Sequence, residues 1–453
     1  MKERGDVLLV ACYELGHQPL AVAWPAAFLE RHGHAPEVMD VSVEPFDAAK
    51  AARARVAAIS VPMHTALRLG VTVAERLRAV NPSCHISFYG LYATLNADWL
   101  LATCADSVLA GEIESQLVEL VERVGRGEPT PDGTAHLAKL DFPVPSRDRL
   151  PSLKKYAHLD RDGRLELAGY VQGSRGCKHR CRHCPIPPVY DGRFFVVPRD
   201  VVLADVRQLV AAGASHITFG DPDFLNGPRH ALALARELHA EFPHVTFDIT
   251  TKVEHLLRHR QLLPELAELG CAFVVSAVES LSDTVLGHLD KGHTRADVLE
   301  ALRLARSAGL TLRPTWVAFT PWTTLDDYRD MLDFVGREGL IDHVDPVQYS
   351  IRLLVPPGSL LLQRPAMRPH LGELVADAFY HRWTHPDPRM DRLHDDVSAA
   401  VAAAAERGED ATVTFALVAD MADEAAGQAP SRPAPVPVAA RRRPPRLTEP
   451  WFC

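Results

Sequence analysis

Three cysteines carry the sharpest chemical signal in the chain. Cys177, Cys181 and Cys184 stand as C-x3-C-x2-C within GSRGCKHRCRHCPIP. Thiolates this close in sequence can hold one metal centre together, and iron–sulfur clusters are bound by cysteine thiolates. A four-iron cluster with three protein ligands keeps one iron open, and an open coordination position is a catalytic feature. The same residues could instead hold a structural zinc, with His179 or His183 as fourth ligand. Structural zinc usually takes a second ligand pair from further along the chain. Here Cys12, Cys84, Cys104, Cys271 and Cys453 are scattered singly. The iron–sulfur reading is therefore preferred, with a non-catalytic zinc or iron–sulfur protein as the alternative.

Other polar residues fall at or near the ends of apolar runs. Gly220, Asp221 and Asp223 close HITFGDPDF, where an acidic side chain could meet an ammonium group in a charge-assisted hydrogen bond. The same Asp-Pro pairing also suits an Asx-type turn. Lys252 and Glu254 follow the next run in TTKVE, and Ser276, Glu279 and Ser280 end the one after, SAVES. Arg313 lies inside an apolar run, where an unpaired charge is costly. Gln348, Ser350 and Arg352 alternate along PVQYSIRLL, so they share one face of a strand.

These positions require a framework of alternating strands and helices. In the first part, strands are expected at 6–12, 36–40, 56–61, 85–90 and 106–110, separated by amphipathic segments. Fully apolar strands between helices mean a parallel sheet covered on both faces, and five such units make a doubly wound, Rossmann-like domain over 1–125. Residues 126–165 are richer in Pro, Gly and charge and read as a linker. From 166 to 365 six further strand–helix units are expected, the strands at 167–172, 216–220, 245–250, 272–278, 311–319 and 346–354. That predicts a partial (β/α)6 barrel of the TIM type, with its chemistry at the carboxyl ends of the strands. A helical extension is expected over 366–426, and 427–453 reads as a disordered Pro- and Arg-rich tail ending in cysteine.

On the cysteine loop and the barrel pattern, residues 165–365 resemble the radical S-adenosylmethionine superfamily. That family carries C-x3-C-x2-C after the first strand of a partial barrel, with an aromatic residue before the last cysteine; His183 takes that place here. The resemblance implies that Cys177, Cys181 and Cys184 bind a 4Fe-4S cluster whose open iron chelates S-adenosylmethionine. Reductive cleavage would then give a 5′-deoxyadenosyl radical that abstracts hydrogen, starting a methylation or rearrangement. It also implies cofactor contacts from Gly220, Asp221, Asp223, Lys252, Glu254, Ser276, Glu279 and Arg313. GDPD stands where the family has a Gly-Gly-Glu-like element. An electron donor such as flavodoxin or ferredoxin is implied as partner.

The first domain, with its GEIE element at Gly111, Glu112 and Glu114, resembles the cobalamin-binding domain that precedes many such barrels. Cobalamin is thereby a candidate cofactor, in a crevice lined by Glu14, His17, Met63 and His64. The D-x-H-x-x-G motif that supplies a histidine to cobalt is absent: His17 lacks both the Asp two before it and the Gly three after it. The ending TEPWFC resembles the CUAEP/CCAEP-tail radical proteins, in which Cys-Sec or Cys-Cys precedes Ala-Glu-Pro. This implies Cys453 as a catalytic residue brought to the barrel mouth, a selenocysteine encoded next, and a peptide or selenium-related substrate.

Composition narrows the remaining classes. The 453 residues are 47% hydrophobic and 24% charged, with a net charge of −9. A mildly acidic chain argues against electrostatic binding of nucleic acid. Eight cysteines are too few for a disulfide scaffold, and no apolar run reaches the roughly 20 residues of a membrane helix. MKERGDVLLVACYE shows no signal-peptide pattern. A cytoplasmic protein acting on a small molecule or peptide is expected, without nucleic acid or membrane.

Overall fold

The computed structural model describes residues 3–130, 135–429 and 443–448. Its first sheet joins β1 (Val7–Ala11), β2 (Glu37–Asp40), β3 (Val56–Ser60), β4 (His85–Tyr89) and β5 (Ser107–Leu109), all parallel, in the order β2-β1-β3-β4-β5. Strand alternation divides β1 between two cores. Val7, Leu9 and Ala11 meet helices Leu20–Arg31 and Glu114–Arg126, while Leu8 and Val10 face helix His64–Val80. This is the doubly wound domain that the apolar runs predict.

The second sheet begins with β6 (His158–Arg161) and β7 (Arg164–Val171), an antiparallel hairpin. Asp162 and Gly163 form its turn, both at positive φ, as a two-residue hairpin turn demands. The expected linker therefore ends in a strand. The short pair β8 (Ser174–Gly176) and β9 (Phe194–Val196) frames the cysteine loop. Next come β10 (His216–Phe219), β11 (Thr246–Thr251), β12 (Cys271–Glu279) and β13 (Thr311–Trp316), which continue β7 in parallel. Helices including Arg199–Ala211, Pro228–Glu241, Arg295–Ser307 and Leu325–Arg337 follow the strands and make a curled half-barrel.

Two elements differ from expectation. The sixth barrel strand, 346–354, is a 3-10 turn at Pro346–Tyr349 followed by a single parallel bridge, Arg352 to Phe319. Its polar side chains are spent locally: Gln348 accepts from Trp316 N at 2.9 Å, and Arg352 lies over the Trp383 ring. Instead of the helix read over 371–383, the chain forms the hairpin of β14 (Leu371–Val375) and β15 (Tyr380–Trp383). Tertiary anchoring overrides the helical pattern there: Phe379 is buried at positive φ against Trp99 of the first domain. Helices Pro388–Glu406 and Ala411–Ala425 then follow as expected.

Of the tail, residues 443–448 are described. β16 (Arg446–Leu447) pairs with the exposed edge of β6, and Arg446 Nε lies 3.5 Å from Asp160 Oδ2. An open sheet edge offers unpaired backbone groups to such a segment, so this short stretch is ordered rather than part of a disordered tail. Residues 430–442 and 449–453 of the expected disordered segment, Cys453 among them, lie outside the described residues.

Candidate functional site

The carboxyl ends of both parallel sheets face each other, and the cysteine loop lies between them. Asp221, just after β10, fixes the start of that loop by accepting from Gly173 N at 2.8 Å and from the Ser174 hydroxyl. Burial pushes its carboxyl up to about 7 against these hydrogen bonds. Cys177 and Cys181 are buried and Cys184 half-buried. Asn226 reaches the loop from the turn after β10, its Nδ2 3.5 Å from Cys177 Sγ. Burial pushes the Cys184 thiol up to about 12 and raises Cys177 as well. The surroundings alone do not create thiolates; a bound metal centre does so by its own charge.

One basic side chain does face these sulfurs. Burial works to lower the pKa of Lys291, but Glu279, and Cys181 and Cys184 when ionised, raise it above the ordinary value. Its Nζ donates to Glu279 Oε1 at 3.0 Å, and His183 Nε2 lies 3.4 Å from the same oxygen. Burial opposes ionisation of Glu279, yet Lys291 and His183 hold its carboxyl far below the usual range. Glu279 has φ +65°, a left-handed conformation rare for such a residue and concentrated at functional sites. In sequence His183 stands out as a candidate zinc ligand and at the family's aromatic position, not as a partner of Glu279, and Lys291 carries no signal beyond a charge in a loop.

Beneath the strand ends, a cavity of about 230 Å3 opens on the inner face of the half-barrel. Gly220, Asp221 and Arg313 line it together with Tyr170, Asp248, Asp345 and His17 from the first domain. A side chain at Gly220 would put its Cβ 2.1 Å from the Tyr170 ring, so only glycine fits. Arg313 donates from Nη2 to Asp345 Oδ2 at 3.0 Å, while its Nη1 is buried without a hydrogen bond. Asp248 accepts from Thr218 Oγ1 at 2.7 Å and lies 2.9 Å from His216 Nε2. These inward polar positions on β10 and β11 are hidden in sequence within runs that read as apolar.

The remaining expected positions divide. Asp223, Lys252 and Glu254 gather around His179 and His255, beside the cysteine loop and not on the cavity wall. Ser276 is displaced from its expected place: Phe273 and Val275 line the cavity, and strand alternation turns Ser276 to the other face, where it is fully buried. His179 and His183, the candidate fourth ligands of a zinc site, are both engaged with carboxylates instead.

Residues 171–335 match the model of the radical SAM superfamily, and residues 7–121 match that of the B12 binding domain. The chain is a radical SAM protein with an amino-terminal B12-binding domain. Among curated relatives, the hopanoid C-3 methylase of Methylococcus capsulatus is 24% identical over 326 residues, covering 67% of this chain and 62% of the relative. An uncharacterized methyltransferase of Pyrococcus horikoshii is 23% identical, covering 71% of each chain. Among solved structures, the cobalamin-dependent radical enzyme OxsB, with aqua-cobalamin and S-adenosylmethionine bound, superposes with a TM-score of 0.70 at 14% identity. That match covers 88% of this chain and 67% of OxsB. The radical methyltransferase TsrM from Kitasatospora setae gives 0.59 at 17% identity, covering 74% and 70%. At these identities the structural likeness is one of fold.

The radical SAM domain implies a 4Fe-4S cluster and S-adenosylmethionine, and the three gathered cysteines fit the cluster. The B12-binding domain makes cobalamin a candidate. Here, however, its carboxyl edge is covered by the chain itself. Arg175 Nη1 lies 2.7 Å from Glu114 Oε1 and 3.1 Å from Glu112 Oε2, and Tyr190 donates to Glu112 at 2.8 Å. His17 stacks on Tyr170 at 4.5 Å, and Phe379 meets Trp99 at 4.8 Å. A corrin seated against that edge would have to displace these contacts. Among the described residues no helix is long and apolar enough to cross a membrane.

Proposed function

We propose that the protein is a radical SAM enzyme acting on a small polar substrate or a peptide. The observation that carries this reading is the gathering of Cys177, Cys181 and Cys184 on one loop whose start is held by Asp221, a residue that also lines the cavity. With its cluster and S-adenosylmethionine bound, the site would supply reductive sulfonium cleavage and hydrogen-atom abstraction, and so methylation or rearrangement of the substrate. Asp221 holds the loop in register with β10. Lys291 sets a positive charge beside two of the cysteines, offsetting the negative charge that bound thiolates bring. Gly220 lets the Tyr170 ring pack against the strand end beside the cavity. Arg313, with one guanidinium nitrogen uncommitted, suits a carboxylate of cosubstrate or substrate. Glu279 contributes through Lys291 and His183.

The family relatives that are methylases favour methylation over rearrangement. A selenium-related substrate rests only on the likeness of the TEPWFC ending, as does a role for Cys453. A soluble reductant such as flavodoxin or ferredoxin would deliver the electron, consistent with a cytoplasmic setting. Anaerobic protein with its cluster installed, given dithionite and S-adenosylmethionine, should release 5′-deoxyadenosine, and a Cys181→Ala variant should not. Cluster-loaded, folded protein that leaves S-adenosylmethionine intact would overturn the proposal.

A further inference from the structure

Beside the cysteine loop lies a second group of ligand-type side chains, two of them histidines to which the resemblance assigns no cofactor contact. His179 comes from the loop itself, Asp223 from the turn after β10, and His255 from helix Val253–Arg258 after β11. Their donor atoms all lie within 4.8 Å of one another. His179 Nε2 is 3.2 Å from His255 Nε2 and 3.6 Å from Asp223 Oδ2, and His255 Nδ1 is 2.8 Å from Asp223 Oδ2. Metal bonds of about 2.0–2.2 Å at tetrahedral angles place ligand atoms roughly 3.3–3.5 Å apart. His255 can offer the ion only one of its two nitrogens, and with one donor atom from each residue the three lie within 4.8 Å of one another, so they draw slightly inward on binding.

Two features separate this group from an ordinary hydrogen-bonded knot. Asp223 Oδ2 and His255 Nδ1 confront each other in the interior, yet neither makes an aligned hydrogen bond. Their side chains are only 1% and 6% exposed, so water does not satisfy them. The other oxygen of Asp223 is already committed: Oδ1 accepts from Thr251 Oγ1 at 2.7 Å and from Leu225 N at 3.2 Å. That support fixes the carboxylate and leaves Oδ2 facing the histidines. On the outer side of His179, Nδ1 lies 3.7 Å from Glu254 Oε2, a carboxylate placed where metal-bound imidazoles commonly have one. Lys252 Nζ also lies there, 3.1 Å from Nδ1, and its charge is offset by Glu254 at 3.4 Å.

We propose that His179, Asp223 and His255 form a mononuclear site for a divalent transition-metal ion of the zinc class, distinct from the three-cysteine centre. Two imidazoles and a carboxylate suit Zn2+, Co2+ or Fe2+, and three protein ligands leave a further position open to water or a substrate atom. On binding, Lys252 turns fully to Glu254, and His179 presents Nε2 to the ion with its Nδ1–H toward the same carboxylate. The ion ties the cysteine loop to the ends of β10 and β11. Nothing in this inference depends on S-adenosylmethionine cleavage.

The test uses the full chain with Cys177, Cys181 and Cys184 all replaced by serine, stripped with chelator and titrated with Co2+ and then Zn2+. One equivalent of Co2+ should bind with visible ligand-field bands and without the intense sulfur-to-metal charge transfer of thiolate sites, and Zn2+ should displace it. Adding His255→Gln or Asp223→Asn should weaken binding by at least about 10–100-fold, the loss that even an outer-shell change produces. Absence of Co2+ binding in the folded triple variant, or binding indifferent to both substitutions, overturns the site. Should the triple variant fail to fold, zinc and X-ray absorption are measured on cluster-loaded wild-type chain. One zinc with only nitrogen and oxygen neighbours supports the site, and no zinc above background refutes it.

Discussion

Replacing Lys291 by methionine removes the stronger of the two basic partners of buried Glu279. The ammonium lies 3.0 Å from Glu279 Oε1, with side-chain exposures of 3% and 10%. Stripping one partner from such a pair costs about 3–5 kcal/mol, because the other charge stays buried and unpaired. Glu279 can escape by taking up a proton. Raising a carboxyl from an ordinary pKa near ~4.3 to above 7 costs about 4 kcal/mol at neutral pH, a similar figure reached independently. The sign of the pH dependence separates the two proteins. In the wild type the folded pKa of Glu279 is depressed by Lys291 and His183. Its stabilisation is therefore present above the unfolded pKa and is lost only in strong acid, so this group adds no slope between about pH 5 and 8. In Lys291→Met the folded pKa is raised. The variant should then gain stability as pH falls from about 7.5 to 5, by up to roughly 1.4 kcal/mol per unit. Anaerobic urea unfolding of both proteins across that range measures the effect, and Lys291→Met/Glu279→Gln should recover most of the loss. A cost below about 1 kcal/mol with no pH slope would refute the buried-pair reasoning.

Gly220→Ala forces its Cβ to within 2.1 Å of the Tyr170 ring, so it should destabilise by about 1–3 kcal/mol and deform the cavity. Calorimetry should show partial recovery when Tyr170→Leu is added. Arg147→Ala breaks a buried pair with Asp205 Oδ2 at 2.8 Å, where the side chains are 6% and 2% exposed. It also removes the bonds to Tyr170 O at 2.6 Å in the half-barrel and to Gln18 Oε1 at 3.2 Å in the first domain. A loss of about 3–5 kcal/mol is expected, and an unchanged unfolding midpoint would show that the interface contributes little. Bound hydroxocobalamin should raise amide exchange across 371–383, since Phe379 must leave Trp99 for a corrin to enter. Binding with protection there unchanged would place the cofactor elsewhere.

Sequence patterning revealed the framework wherever burial was two-sided. Runs such as Val7–Ala11 and Val56–Ser60 are fully buried because helices cover both faces, and that leaves a continuous apolar signature. The cysteine loop was equally plain, because three ligands share eight residues. What stayed hidden was set by contacts distant in sequence. Tyr380 and Trp383 belong to a hairpin because Phe379 is held by Trp99, far back in the first domain. Lys291 and Glu279 meet only once β12 and the following helix are in place. His179 and His255 read singly as unremarkable histidines, and only the fold brings them together. Ser276 follows Val275 along β12, and alternation puts it on the face away from the cavity, a distinction that a run of apolar residues does not mark.

The account stands on a cluster held by Cys177, Cys181 and Cys184 with one iron left for S-adenosylmethionine. Electron paramagnetic resonance of the anaerobically reconstituted, dithionite-reduced chain tests this directly when recorded with and without S-adenosylmethionine. A reduced 4Fe-4S signal that shifts on adding the cosubstrate, and vanishes in Cys184→Ala, is the predicted result. A spectrum indifferent to S-adenosylmethionine, or a chain that takes up zinc in place of iron and sulfide at these cysteines, would contradict it.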